Sequence, residues 1–263
     1  MGAINSVARK ILVHGHRGAR ALLPENTIPA FEYAIGVGVD AIELDVGVTR
    51  DGVVVVSHDP YLAPPICSGP RAKAFLHELT LAQIREWDCG KLANPSQPRQ
   101  VAIPGTRMPT LDEVFALGPR GSFDFNIEAK TELAPPPEEF VRLVLAEIRK
   151  HGLERRVIFQ SFDFRVVRVM KKIAPEIRLA ALWEGPDRDF VDIAKEAGTR
   201  IVAPAFAQVT PEKVRAAHAA GLEVVPWTAN YPKDWDPLIA AEVDAIITDD
   251  PAALIEYLVG PAF

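Results

Sequence analysis

Short β-branched runs alternate with amphipathic stretches that close on Gly or Pro, and this alternation organises the whole sequence. The spacing predicts a first strand over Ile11–His16, then a helix from Asn26 to about Val37 that is entered through Pro24-Glu25-Asn26 and closed near Gly38. A second strand covers Ala41–Val46. Beyond the Asp51-Gly52 turn a further apolar run, Val53–Ser57, leads into His58-Asp59. The alternation resumes with a helix over Leu111–Leu117, a strand over Phe123–Ala129, and a helix over Glu138–Lys150 that sets Phe140, Val141, Val144, Leu145 and Ile148 on one side. Strands follow at Val157–Gln160, Arg178–Trp183, Ile201–Ala203, Glu223–Thr228 and Ala245–Thr248. Helices separate them at Phe164–Ile173, Phe190–Ala197, Pro211–Ala220 and, more weakly, Pro237–Glu242, and Ala252–Leu258 closes the chain.

One stretch breaks the rhythm. Pro60 to about Met108 is rich in Pro and Gly and holds one short helical pattern, Leu81–Trp87. It is too long for an ordinary loop in a compact domain, so it reads as an insertion across one face. Eight strands of parallel-sheet character with helices between most of them predict a single (β/α)₈ barrel over residues 1–263, with the insertion at about 60–108. A doubly wound open sheet would place a Gly-rich phosphate turn after its first strand, and His16-Arg17-Gly18-Ala19-Arg20 is not that motif.

Composition narrows the function. Hydrophobic residues at 48% and charged residues at 24% describe a folded chain, and a net charge of −6 gives no overall field for nucleic acid. No apolar run reaches the roughly 18 residues of a membrane helix. Cys67 and Cys89 lie in one stretch and can pair, but two cysteines are too few for a disulfide framework, and no Cys/His ligand spacing suggests zinc. The apolar stretch Ile11-Leu12-Val13 is too short for a signal peptide, so the default expectation is a cytoplasmic location. Gly2 and Ser6 fit the letters of a myristoylation motif and are read as coincidence.

In such a barrel the chemistry lies at the C-terminal ends of the strands. Those ends carry His16-Arg17, Glu43-Leu44-Asp45, Glu128-Ala129-Lys130, Gln160-Ser161, Trp227 with Asn230, and Thr248-Asp249, while the extra run ends in His58-Asp59. Glu43 and Asp45, two apart on a strand, face the same side, and Glu128 joins them from the next strand. Three close carboxylates repel unless a cation neutralises them, and all-oxygen ligands favour a hard divalent ion, Mg²⁺ or Ca²⁺, with Mn²⁺ as a further candidate. His16 and His58 can share general-base and general-acid work, and either can take either part. Arg17 and Lys130 suit a phosphate. His14 falls deeper in the barrel, and His77, His151 and His218 receive no role. The reaction class these groups suit is phosphoester cleavage.

An ordered set of motifs then resembles the glycerophosphodiester phosphodiesterases: HRG at His16–Gly18, PENT at Pro24–Thr27, ELD at Glu43–Asp45, HD at His58-Asp59, PTLDEV at Pro109–Val114, NIEAK at Asn126–Lys130, QSF at Gln160–Phe162, WTAN at Trp227–Asn230 and TDDP at Thr248–Pro251. The resemblance runs through nearly the whole chain. It implies hydrolysis of small-molecule glycerophosphodiesters to sn-glycerol 3-phosphate and an alcohol. It implies metal ligands Glu43, Asp45 and Glu128, acid/base histidines His16 and His58, and phosphate contacts Arg17 and Lys130. It also implies support and substrate contacts from Glu25 and Asn26, and a wall for the glycerol from Trp227. The chain departs from the family pattern after His58-Asp59, where a Pro-rich apolar stretch stands in place of a polar one.

Two rival readings remain in view. A phospholipase D-like or lysophospholipid-directed phosphodiesterase would act at a membrane surface through an exposed rim, for which Tyr61, Leu62, Ile66, Phe75 and Leu76, with Arg71 and Lys73 near them, are the candidates. A non-catalytic phosphate-binding barrel would be marked by loss of a histidine or carboxylate, and none is lost.

Overall fold

A computed structural model describes residues 11–260. Gly2 and Ser6 lie outside the described residues. The strands are β1 (Leu12–Gly15), β2 (Ala41–Val48), β3 (Val54–Val56), β4 (Tyr61–Leu62), β5 (Ala74–Phe75), β6 (Asp124–Ala129), β7 (Val157–Ser161), β8 (Arg178–Trp183), β9 (Ile201–Pro204), β10 (Glu223–Val224) and β11 (Ala245–Thr248). The helices are α1 (Ile28–Val37), α2 (Leu81–Ile84), α3 (Leu111–Phe115), α4 (Pro137–Lys150), α5 (Phe164–Ile173), α6 (Phe190–Ala197), α7 (Pro211–Ala219), α8 (Pro232–Ala240) and α9 (Pro251–Val259).

Eight strands form a parallel sheet in the order β10-β9-β8-β7-β6-β2-β1-β11. Backbone bonds from Asp244 N–H to Val224 O (3.0 Å), Ile247 N–H to Pro226 O (3.0 Å) and Ala229 N–H to Ile247 O (3.1 Å) join its two ends, so the sheet nearly closes into the expected (β/α)₈ barrel. The seventh barrel strand is regular for only two residues, against the predicted Glu223–Thr228, because Pro226 has no N–H to donate to the ladder. The chain still follows β9 beyond it, since Trp227 N–H reaches Pro204 O at 3.1 Å. The extra run after the Asp51-Gly52 turn is β3, antiparallel to β2 and outside the ring.

Two helix starts differ from the sequence expectation by more than one residue. α1 begins at Ile28 rather than Asn26, because Asn26 sits at φ 57°, outside the right-handed helical region. α8 begins at Pro232 rather than Pro237. Both prolines suit a first turn, but Pro232 occupies it and Pro237 is carried inside the helix.

The core has two layers. Phe140, Val144 and Ile148 of α4 and Val166, Val167 and Met170 of α5 pack against the outward faces of the strands. A separate cluster of Ile158, Ala180, Ile201, Val225, Ala245 and Ile247, with Trp227 on it, fills the barrel interior. This filling closes the bottom of the barrel and leaves only its mouth for chemistry.

The insertion has a small core of its own. Leu62, Leu76, Leu79, Ile84, Trp87 and Met108 cluster around a Cys67–Cys89 disulfide. Its far end is tied to the barrel by Val101 N–H to Leu22 O (3.0 Å), Gln100 Nε2 to Arg20 O (2.8 Å) and an Arg99–Asp250 ion pair (2.5 Å). So few elements of regular structure leave the covalent link as a main constraint on this segment. Replacing both cysteines by serine is expected to lower stability by about 2–4 kcal/mol in urea unfolding. An unchanged midpoint would show that the small core holds without it.

Candidate active site

The site starts with a backbone turn. After β1 the chain reverses at Arg17 (φ 49°) and Gly18 (φ 86°), and a Cβ at Gly18 would meet the backbone carbonyl carbon of Ala30 at 2.7 Å. Only glycine lets the turn lie this close to α1, and the turn aims His16 and Arg17 into the barrel mouth.

Strand register brings the acids together. Asp45 stands opposite Glu128 on the parallel pair β2–β6, and Glu43 stands opposite Asn126 one pleat below. One carboxylate oxygen from each of Glu43, Asp45 and Glu128 lies within 4.8 Å of the others, and all three side chains are buried. Arg17 Nε is 3.2 Å from Asp45 Oδ2, while Lys130 Nζ is 3.3 Å from Asp45 Oδ1 and 2.7 Å from Glu128 Oε1. The Arg17 backbone N–H donates to Glu43 Oε2 at 3.0 Å.

The environment splits these carboxyls into two kinds. Burial, then the charges of Asp45 and Glu128, pushes Glu43 well above the usual carboxylate range. Burial and Asp45 push Glu128 up to about 8, with Lys130 opposing. Burial also works against Asp45, yet Arg17, Lys130 and His58 together outweigh it and hold this carboxyl below its ordinary value. The cluster therefore holds more negative charge than its own cations can neutralise without retained protons. Asp45 Oδ1 is buried and accepts no hydrogen bond. An all-oxygen donor set that includes such an atom fits a hard divalent cation. A second group, Asp112, Glu147 and His151, sits partly exposed on α3 and at the end of α4, where Lys150 pairs with both acids at 2.7 and 3.5 Å and His151 with Asp112 at 2.6 Å.

Glu25 and Asn26 stand behind this cluster. Glu25 accepts from Arg17 (2.6 Å) and Arg20 (2.8 Å), and Asn26 donates to Asp45 Oδ2 at 2.8 Å. Neither lines the barrel-mouth cavity.

Both histidines reach the rim of that cavity. His16 Nδ1 is 2.5 Å from Asp249 Oδ1, which leaves its Nε2 toward the acids, 4.0 Å from Glu43 Oε2. Burial pulls the His16 imidazole below its ordinary value, and Asp249 only partly restores it. His58 Nδ1 pairs with Asp59 Oδ1 at 2.8 Å in a more open position, 37% exposed. His14 is buried a pleat below His16, where burial pulls it down to about 4.

Sequence reasoning gave Asp249 no role. It is buried, its backbone N–H donates to Asn230 Oδ1 (2.8 Å), and its Oδ2 accepts from Asn230 Nδ2 (2.9 Å). The two acids of Thr248-Asp249-Asp250 divide the work: Asp250 caps α9 by accepting from Ala253 N–H at 3.1 Å, and Asp249 turns inward to His16. The available signal was an acid at the end of the last barrel strand with no partner assigned.

The cavity itself holds about 290 Å³. Opposite the charged cluster its wall is Phe162, Leu182, Glu184 and Trp227. Trp227 Nε1 donates to Ala203 O at 2.8 Å, and its ring meets Phe162 edge-on at 5.5 Å. A larger cleft of about 640 Å³ lies outside the barrel, walled by Tyr231, Trp235 and Tyr257, but the acids and bases converge on the smaller one.

Residues 16–253 match the Glycerophosphoryl diester phosphodiesterase family. The chain belongs to this family. It is thus an enzyme, a glycerophosphodiester phosphodiesterase, and its relatives agree. A glycerophosphodiester phosphodiesterase of Caldanaerobacter subterraneus subsp. tengcongensis is 35% identical over 249 residues, covering 95% of this chain and 98% of the relative. A solved structure from Silicibacter pomeroyi, 32% identical, superposes with a TM-score of 0.90 over 95% of this chain and 94% of its own. A phosphodiesterase from Oleispira antarctica, solved with the product sn-glycerol-3-phosphate, shares the fold at 22% identity, with a TM-score of 0.81 over 94% of this chain and 96% of its own. Among the described residues of this phosphodiesterase no helix is long and apolar enough to cross a membrane.

Proposed function

We propose that the enzyme hydrolyses glycerophosphodiesters to sn-glycerol 3-phosphate and an alcohol, with a divalent metal ion at Glu43, Asp45 and Glu128 and acid–base catalysis by His16 and His58. One observation carries this reading. Two imidazoles, each with a carboxylate on Nδ1, stand on the rim of a cavity lined by Glu43, Glu128, Arg17 and Lys130, with Asp45 buried against both cations. The relative from Oleispira, solved with sn-glycerol-3-phosphate, lends support to the product.

Arg17 and Lys130 hold the phosphodiester. A hard divalent ion bound by the three acids supplies Lewis-acid polarisation of the phosphoryl oxygen. His16 serves as general base: Asp249 fixes its Nδ1, and burial keeps the ring neutral, so Nε2 is free to accept a proton. The nucleophile it deprotonates is water or the glycerol 2-hydroxyl, the latter forming a cyclic phosphate that water then opens. His58, on the more open side, returns a proton to the leaving alcohol oxygen. Glu25 and Asn26 position Arg17 and Asp45, and Trp227 offers a flat wall to the glycerol.

The insertion offers membranes only part of the rim expected of it, with Tyr61, Ile66 and Phe75 half-buried. Leu62 and Leu76 are buried in its small core, and Lys73 Nζ lies over the Tyr61 ring at 3.6 Å. The test is release of glycerol 3-phosphate from glycerophosphocholine and glycerophosphoethanolamine with and without chelator. Metal-dependent release is the expected outcome, and no release with Mg²⁺, Ca²⁺ or Mn²⁺ would overturn the reading.

The disulfide bears on location. Cytoplasmic thiol pools keep such pairs reduced. A cytoplasmic setting therefore requires Cys67 and Cys89 to be thiols there, whereas the structure joins them. Alkylation of the protein at the moment of cell lysis decides: two trapped thiols support the cytoplasm, and none supports an oxidising compartment.

A further inference from the structure

The cavity has two unlike halves. Arg17, Arg20, Lys130 and the two histidines line one side, where they meet the phosphate. Phe162, Leu182, Trp227 and Glu184 line the other. A diester has two arms: the glycerol takes Trp227, and the alcohol arm is left to Phe162 and Glu184.

Glu184 differs from the other acids of the cavity. Glu43 and Glu128 belong to the buried cluster and its cations. Glu184 follows directly on β8 at the mouth, is exposed, and among the described residues has no ion pair or hydrogen bond. Phe162 is 44% exposed although Trp227 braces it edge-on at 5.5 Å, so an aromatic ring is held open to the cavity rather than packed away. A π-face and a free carboxylate on one wall attract a desolvated cation, the ring through its quadrupole and the acid through its charge. A cationic arm therefore has a favourable orientation, with its phosphate on Arg17 and Lys130 and its charge turned toward Glu184.

We propose that Phe162 and Glu184 form a subsite that selects a positively charged alcohol arm, the ammonium of a choline or ethanolamine ester, over a neutral one. This rests on the phosphodiesterase reading above. Both residues are specificity determinants and take no part in the proton transfers.

Steady-state kinetics of the metal-loaded enzyme on glycerophosphocholine and on glycerophosphoglycerol, whose alcohol arm is neutral, test it. The wild type is expected to favour the choline ester in kcat/KM by about tenfold, and Glu184→Gln to remove most of that ratio. Phe162→Leu, which keeps the wall apolar without a π-face, is expected to lower the ratio in the same direction. Added salt lowers it in the wild type and leaves it unchanged in Glu184→Gln. Equal kcat/KM for the two esters in the wild type, or a ratio that Glu184→Gln does not move, would overturn the subsite and leave the hydrolase reading standing. Hydrolysis of neither ester would overturn both.

Discussion

Replacing His16 by alanine is expected to lower kcat for glycerol 3-phosphate release by about 10²–10⁴-fold, the range a positioned acid or base contributes. The fold should persist, because Asn230 still satisfies both the Asp249 carboxylate and its backbone N–H. Circular dichroism checks that point. Asp249→Asn separates the base from its positioning. The amide keeps the size of the side chain but removes a charge that raises the His16 pKa, so that pKa falls further below its ordinary value. Loss of activity on the acid side occurs where His16 takes up a proton. In Asp249→Asn that limb should therefore move to lower pH, while kcat drops because Nδ1 is no longer held by an anion. Near-normal turnover in His16→Ala, or an acid limb that moves to higher pH in Asp249→Asn, would show that His16 is not the base.

Much of this arrangement was legible in the sequence, for definable reasons. Strand ends in a (β/α)₈ barrel converge on one mouth whatever lies between them. His16, Glu43, Asp45, Glu128 and Lys130 could thus be grouped from their places after apolar runs alone. Register did the rest, setting Asp45 against Glu128 on neighbouring strands. What escaped were pairings that depend on how a turn twists. Asp249 and Asp250 are equivalent as letters, and only the start of α9 separates the helix cap from the partner of His16. Glu25 and Asn26 could be grouped with the site but not placed within it, since the positive φ of Asn26 turns its amide onto Asp45. The short seventh strand and the early start of α8 were missed for a common reason. Each expectation misplaces a proline: Pro226 stands inside the expected Glu223–Thr228 strand although it has no N–H for the ladder, and Pro237 opens the expected helix although it lies inside α8.

The acids of the proposed metal site should respond to neutralisation in two ways. Glu43→Gln and Asp45→Asn each remove a ligand charge, and each is expected to cut metal-dependent turnover by at least about 100-fold. Their stabilities in chelator should diverge. Glu43 is held well above the usual carboxylate range by burial and by Asp45 and Glu128, so without metal its charged form is the disfavoured one, and an amide changes less there than at Asp45. Asp45 is the charged member, and it faces Arg17 at 3.2 Å and Lys130 at 3.3 Å. Its loss leaves the Arg17 guanidinium and the Lys130 ammonium short of a counter-charge, which in buried pairs costs about 3–5 kcal/mol. Because the folded-state pKa of Asp45 lies below its unfolded value, its contribution is present above the ordinary aspartate pKa and fades as pH falls through the folded one. Urea unfolding of the chelated proteins at neutral pH should therefore show Asp45→Asn well below the wild type and Glu43→Gln closer to it. Equal destabilisation by both would mean that the charge is shared across the cluster rather than held on Asp45. The position of Lys130, 2.7 Å from Glu128, would then become the feature that balances it.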